Sequence, residues 1–325
     1  MALSEFDIIK EFFARQQINT DLVPVGIGDD AAVINTSGNE QLLISVDTLN
    51  IGVHFPQQTS AFDIGYKALA VNLSDIAAMG GQPKWFTLAM SLPEANRHWL
   101  EAFTEGLSSL AQQHQLSLVG GDTTRGPLSV TIQIAGTVPT GQSLQRRGAR
   151  VEDNIYVTGT LGDAAAALAI CQSALSADVK TSERLLQRLN QPVPRVNIGV
   201  ALRGIATACI DISDGLAADL GHILEASGVG AEIKLTSLPR SKAIDALLSD
   251  EAQIQDWQLY GGDDYELCFT APSSQHDRIL ALGQQENCPI THIGKIIREA
   301  GLFCLDDSQH TPVVIRGYDH FTGKP

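Results

Sequence analysis

One stretch constrains the fold more than any other: "AFDIGYKALAVNLSDIAAMG", residues 61–80. Its spacing predicts a helix, and its strongly apolar character predicts that the helix is buried. Yet Lys67, Val71 and Asp75 fall at i, i+4 and i+8, with Asn72 beside them. A carboxylate inside a buried helix is costly unless it is paired or bound to a cation. Two outcomes are open: an internal pairing of Lys67 with Asp75, or a cation held by Asp75.

Strand-like runs flank this helix. They are "QLLISVDTL" (41–49), "PKWFTLAMSL" (83–92), "LSLVGG" (116–121) and "PLSVTIQIAGTV" (127–138), with a second helical stretch at 93–115. A polar, glycine-bearing segment, 139–154, reads as a link between halves. Beyond it "IYVTGT" is strand-like, "LGDAAAALAICQ" helical, "ATACIDIS" strand-like and "DGLAADLGHILEAS" helical. A further helical region ends at "QPVPRV", and "VGAEIKL", "YELCFTA" and "PITHIGKII" read as strands. The 325 residues fit two domains of about 150 each, expected here as 1–140 and 141–325. Mixed strands and helices in both halves predict an α/β or α+β class.

Composition narrows the setting. No run approaches the roughly 18 apolar residues of a membrane span. The N-terminal segment has early acid and no continuous apolar stretch, so it does not read as a signal peptide. Phe6, Ile9, Phe12 and Phe13 recur there at helical spacing behind a candidate N-cap, Ser4. Five scattered cysteines, with no C-x-x-C pair, suggest buried reduced thiols and a cytoplasmic protein. The net charge of −15 argues against nucleic acid, which requires clustered Lys and Arg.

Many of the acids sit inside apolar segments beside Gly and Ser. In "VGIGDDAAVINTSG", Gly26, Gly28 and Ala31 match a dinucleotide fingerprint, but no helix opens at its third position. The better reading is a tight turn that places one aspartate at a strand start. Successive side chains of an extended segment point oppositely, so Asp29 and Asp30 do not both serve one site; spacing alone does not choose between them. Asp47 interrupts an apolar strand, and Ser45, two residues away, shares its face. The Val46 carbonyl is a further possible ligand, since hard cations accept backbone oxygens. His54 is as easily a core or surface histidine as a ligand-binding one. Asp122 follows Gly120 and Gly121 directly after "LSLV". Asp211 ends the strand "ACIDIS", while Ser213 and Asp214 stand at an expected helix start, where Asp214 could be a simple N-cap.

Asp30, Asp47, Asp75, Asp122 and Asp211 together describe a polyacidic cavity, and such a cavity requires cations. Carboxylates with Ser and backbone oxygens, and no His or Cys set, indicate a hard metal such as Mg²⁺. Mg²⁺ usually bridges protein carboxylates to substrate phosphates, which implies a nucleotide or another polyphosphate. The chain has no Walker A motif and no protein-kinase HRD and DFG set, so a phosphoryl-transfer enzyme here needs a different architecture.

The blocks "GIGDDAAV", "SVDTLNIGVHF", "YKALAVNLSDIAAMG", "GGDTTRGPLSVT", "YVTGTLGDAAAALA", "IDISDGLAADLGHI", "GGDDYELCF" and "GYDHF" resemble the thiamine-monophosphate kinases, in order along nearly the whole chain. The wider superfamily includes aminoimidazole ribonucleotide synthetase and selenophosphate synthetase. The resemblance implies a two-domain aminoimidazole ribonucleotide synthetase-like fold, α/β plus α+β, with N-terminal strands pairing across a homodimer and ATP between the domains. It implies an ATP- and Mg²⁺-dependent phosphotransferase that uses thiamine monophosphate as acceptor. Carried over residue by residue, it favours Asp30 over Asp29. It puts Asp30, Ser45, the Val46 carbonyl, Asp47, Asp75, Asp122, Asp211 and Asp214 on the metals. Gly121, Asp122, Arg146 and Ser213 go to ATP, and His54, Asp263 and Tyr318 to thiamine monophosphate. Asp211 and Asp214 would hold the metal nearest the transferred group; whether Asp29 or Asp264 assists stays open. Relatives often carry Thr at position 46, Glu at 263 and Trp at 318. They often have Tyr near 104, where this chain has Thr104, so no nucleotide contact is expected there. The alternatives are a superfamily enzyme that makes an acyl- or iminophosphate, and a non-catalytic acidic metal-binding module.

Overall fold

The structure is a computed structural model, and it describes residues 22–306 and 309–318. The helix expected behind Ser4, and residues 319–321 of the "GYDHF" tail, lie outside the described residues.

The first sheet contains β1 (Ala32–Asn35), β2 (Glu40–Asn50), β3 (Gln82–Leu92), β4 (Ser117–Arg125) and β5 (Ser129–Pro139), in the order β1-β2-β5-β3-β4. Only β3 and β4 run parallel; the other neighbours are antiparallel. The period-2 pattern of β2 and β5 is realised in their register, from Glu40 opposite Pro139 to Asn50 opposite Ser129. Gln41, Leu43 and Leu49 of β2, with Val130, Ile132, Ile134 and Val138 of β5, are buried. The intervening Val46 is exposed. As expected from the segment after the Gly26, Gly28 and Ala31 match, a strand (β1) rather than a helix follows Ala31.

Two helices, α1 (Ala61–Ala78) and α2 (Arg97–Gln113), accompany this sheet. Ser60 caps α1 by accepting from the Asp63 amide. From Lys67 to Ala78 every residue of α1 is buried except Asp75. Gly65 and Gly106 let α1 and α2 touch backbone to backbone: a Cβ on Gly65 would stand 2.1 Å from the Phe103 carbonyl oxygen, and one on Gly106 would stand 2.0 Å from that of Phe62.

The second sheet contains β6 (Asn154–Thr158), β7 (Ala208–Asp211), β8 (Gly230–Ile233), β9 (Leu267–Ala271), β10 (Ile290–Ile297), β11 (Gly301–Asp306) and β12 (Gln309–Pro312). Its order is β12-β11-β8-β10-β6-β9-β7. Its helices are α3 (Asp163–Cys171), α4 (Val179–Asn190), α5 (Val196–Ala201), α6 (Leu216–Ser227), α7 (Lys242–Leu247), α8 (Glu251–Tyr260) and α9 (His276–Gln285). Helices α7 to α9 and strands β11 and β12 go beyond the sequence reading; the caps Ser241 and Asp250 were the available signals for α7 and α8. The apolar core is continuous from Leu43 and Ile134 through α1 to Cys209 and Phe269, so α1 is covered from both halves. That placement carries Asp75 to the seam. The five cysteines are free, all buried but Cys171, which is half-buried. No described helix is long and apolar enough to cross a membrane.

Candidate functional site

Three elements deliver three carboxylates to one point. Asp30 comes from the turn before β1, Asp75 from α1 and Asp211 from the end of β7. One oxygen of each lies within 4.8 Å of the others. Asp30 and Asp211 are buried. The Ser45 hydroxyl donates to Asp75 Oδ2 at 2.5 Å. Burial pushes the Asp75 carboxyl well above its usual range, and repulsion from Asp47, Asp211 and Asp30 adds to it. Burial, then Asp30, pushes Asp211 up to about 8, although the Ser74 hydroxyl and Arg146 act against the rise. Asp47 therefore acts on this centre electrostatically.

Arg146 faces the same acids. Its Nε and Nη2 donate to Asp30 Oδ1 at 3.0 and 2.5 Å. Among the described residues, Asp30 Oδ2 is buried with no hydrogen-bond partner. An orphaned carboxylate oxygen beside two more acids is the fit expected of a cation site, because an uncompensated buried anion is costly. The all-oxygen donor set suits a hard cation such as Mg²⁺. Asp29 is not one of the trio, yet it and Asp30 both meet Arg146. The Asp29 carboxylate accepts the Arg146 backbone amide at 3.3 Å, and burial with the neighbouring Asp30 charge raises it to about 7.

The loop after β7 carries Ser213 and Asp214. Asp214 does not cap α6; Gly215 occupies the N-cap position, with no side-chain cap. Asp219, one turn into α6 and absent from the sequence-derived site, turns back instead. Its Oδ2 accepts the amides of Asp214 and Gly215, each at 3.1 Å. Asp219 is buried, and burial with repulsion from Asp214 and Asp211 pushes its carboxyl well up. The signal available in sequence was another acid five residues into the "DGLAAD" block.

The segment "GGDDYEL", residues 261–267, packs on this loop. A Cβ on Gly262 would lie 2.4 Å from the Ser213 carbonyl oxygen, so glycine permits the approach. The Asp263 amide donates to Ser213 O and the Tyr265 amide to Ile212 O, both at 2.8 Å. Lys67 pairs with Asp263 at 3.1 Å, not with Asp75, and its ammonium also donates to the His54 carbonyl at 3.0 Å. Tyr318 reaches the region through its amide, which donates to Asp214 O at 3.3 Å. Asp264 points elsewhere and accepts the Gly162 amide at 2.8 Å.

Gly120, Gly121 and Asp122 lie on β4, whose residues are exposed along its full length. Gly121 is required there, since a Cβ would stand 1.9 Å from the Leu88 carbonyl oxygen. Asp122 pairs in register with Ala89 and accepts the Thr123 amide at 2.9 Å. It is not one of the three clustered carboxylates.

Comparison with known proteins agrees along the chain. Residues 28–138 match the AIR synthase related protein N-terminal domain, and 150–306 match the corresponding C-terminal domain. The thiamine-monophosphate kinase of Salmonella typhimurium is 47% identical over 324 residues, covering 99% of each chain. The crystal structure of the enzyme of that name from Stenotrophomonas maltophilia superposes with a TM-score of 0.81 at 49% identity, covering 96% of this chain and 99% of that one. AaThiL complexed with AMPPCP and TMP superposes with the same TM-score, 0.81, at 30% identity, covering 98% of this chain and 97% of that one. With identity at that level over its full length, two matched domains and the carboxylate centre at their seam, the chain belongs to the thiamine-monophosphate kinase family.

Proposed function

We propose that this protein transfers the γ-phosphoryl group of ATP to thiamine monophosphate, giving thiamine diphosphate and ADP. The observation that carries the reading is the meeting of Asp30, Asp75 and Asp211, with the buried unpartnered Asp30 oxygen among them. The names and ligands of the related kinases support the same reaction.

Asp30, Ser45, the Val46 carbonyl, Asp47, Asp75, Asp122, Asp211 and Asp214 are assigned to Mg²⁺. When bound, the ion neutralises phosphate charge and orients the transferred group. Gly121, Asp122, Arg146 and Ser213 are assigned to ATP. On this reading Arg146 joins the two sets, because the residue assigned to ATP also holds Asp30. His54, Asp263 and Tyr318 are assigned to the acceptor. Asp263 complements the positive thiazolium, and the Tyr318 ring, 41% exposed, can cover it.

The nucleophile is a phosphate oxygen. A phosphate monoester has a second pKa near about 6, so the acceptor is already largely ionised at neutral pH. No side chain needs to remove a proton, and no phosphoenzyme forms. The chain's task is to bring two anions into line and hold them there. Asp219 serves that task by fixing the backbone at Asp214 and Gly215.

We further propose a domain boundary near residue 140, a homodimer formed through the strands of the first sheet, and a cytoplasmic location. The test of the reaction is ADP release with Mg²⁺-ATP and a panel of acceptors. Turnover with thiamine monophosphate is expected. Turnover with free thiamine but not its monophosphate would assign a different kinase, and a stable phosphoenzyme after ATP alone would sink the direct transfer.

A further inference from the structure

Lys67 is the one large charged side chain of α1 in its buried stretch, and it is only 1% exposed. A buried ammonium is tolerated only when it is paired. Its partners come from two separate segments: the Asp263 carboxylate at 3.1 Å, before β9, and the His54 carbonyl at 3.0 Å, between β2 and α1. The other oxygen of Asp263 accepts the Tyr265 hydroxyl at 3.1 Å. Protein donors thus hold the carboxylate at both oxygens, which leaves its rotamer no freedom.

The backbone at this turn is equally constrained. Asp263 has φ of 68° and Tyr265 has φ of 49°. Side chains rarely adopt that region, and it persists only where the surroundings over-determine it. The Asp263 and Tyr265 amides, bonded to Ser213 and Ile212, supply part of that constraint, and Lys67 supplies the side-chain part. The Asp263 side chain nonetheless remains 32% exposed, so it is fixed from behind and open in front.

We propose that Lys67 is a positioning residue for acceptor recognition: its buried ammonium ties Asp263 and the His54 segment into one rigid wall against which the cationic half of the acceptor is selected. The inference rests on the assignment of His54 and Asp263 to the acceptor, made above. Lys67 acts through Asp263, because its own burial keeps it from substrate. It touches neither the carboxylate trio nor Arg146, so its loss should fall on the acceptor and spare the nucleotide.

The informative variant is Lys67→Met. It removes the buried charge with little change in shape, and the Asp263 it leaves behind is open enough to be hydrated. The expected result is a KM for thiamine monophosphate raised about tenfold, with the KM for ATP within about twofold. Asp263→Asn should raise the same KM, and the double variant should be no worse than the worse single one, because both act through one carboxylate. If Asp263→Asn raises the acceptor KM and Lys67→Met does not, the inference is overturned and the acceptor assignment stands. If Asp263→Asn leaves that KM unchanged, the acceptor assignment itself fails. Additive effects, or a Lys67→Met defect confined to kcat, also overturn the inference. Should Lys67→Met fail to fold, Lys67→Gln keeps a donor without the charge and is read by the same two KM values.

Discussion

Two buried acidic centres, one at the seam and one within the second half, behave oppositely. Glu266 is fully buried, yet four hydrogen bonds meet it. Arg195 donates to Oε2 at 2.6 Å and to Oε1 at 2.5 Å, Arg188 to Oε1 at 2.8 Å, and the Thr158 hydroxyl to Oε2 at 2.6 Å. Burial raises the Glu266 pKa, but the two guanidiniums outweigh it and hold the carboxyl below its usual range. Asp30, Asp75 and Asp211 are three acids, and among the described residues the Arg146 guanidinium bonds Asp30 and neither of the others. Asp75 and Asp211 rise far above the usual range. Burial is common to both centres, so the difference lies in the supply of positive charge. One centre has its positive charge supplied within the chain; the other gathers more carboxylates than bonded guanidinium groups among the described residues.

The comparison predicts that changes at the two centres fail in different ways. The largest effect is on turnover. Asp75→Asn should lower kcat on the order of a thousandfold while the protein stays folded, checked by ADP release and circular dichroism. Loss of folding would mean that the trio is a structural centre like Glu266. Next comes stability. Glu266→Ala removes the carboxylate that Arg195 pairs with and leaves Arg188 only Asp163, at 3.6 Å, and should cost about 3–5 kcal/mol in urea unfolding. Turnover per folded molecule should hold. Asp219→Asn, which weakens the acceptor of two loop amides, should lower kcat about tenfold and weaken Mg²⁺ binding measured by calorimetry.

The smallest effect, in pH, separates the centres by sign. Asp29 at about 7 and Asp211 at about 8 have folded pKa values above the ordinary 3.8. Across that window the metal-free folded protein holds more protons than the unfolded chain, so its stability should fall as pH rises toward 8. Glu266 is depressed instead; its contribution is present above its ordinary 4.5 and is lost as pH falls through its lowered pKa. Because metal ligands must be deprotonated, Mg²⁺ should raise the melting temperature more at pH 8 than at pH 6. Melts in chelator and in Mg²⁺ at both pH values check this, and an equal Mg²⁺ shift would contradict it.

Much of the fold is legible locally. The alternation in β2 and β5, the apolar run of α1 and the absence of a helix after Gly28 are properties of short windows, because strand and helix periods are local. Asp75 and Asp211 are legible for the same reason, since each interrupts an apolar segment; Asp30, in a tight turn beside Asp29, is singled out only by the family resemblance. Asp219 hides because α6 tolerates an acid in its first turn, where it reads as ordinary dipole complement. The Glu266 network hides because Arg188, Arg195 and Glu266 each look like a solvated charge in their own segment.

The sequence by itself determined the long strands of the first sheet, the helices α1 and α2, and the presence of several carboxylates inside apolar segments, where an acid needs a partner. Only the tertiary structure decided the partners. It put Lys67 on Asp263 instead of Asp75, drew Asp30, Asp75 and Asp211 together, and gave Arg146 to Asp30 and two arginines to Glu266. The physical reason is that an ion pair has no period along the chain. Its members meet only because packing of the two halves around α1 closes the distance, and low-dielectric burial then makes each meeting count.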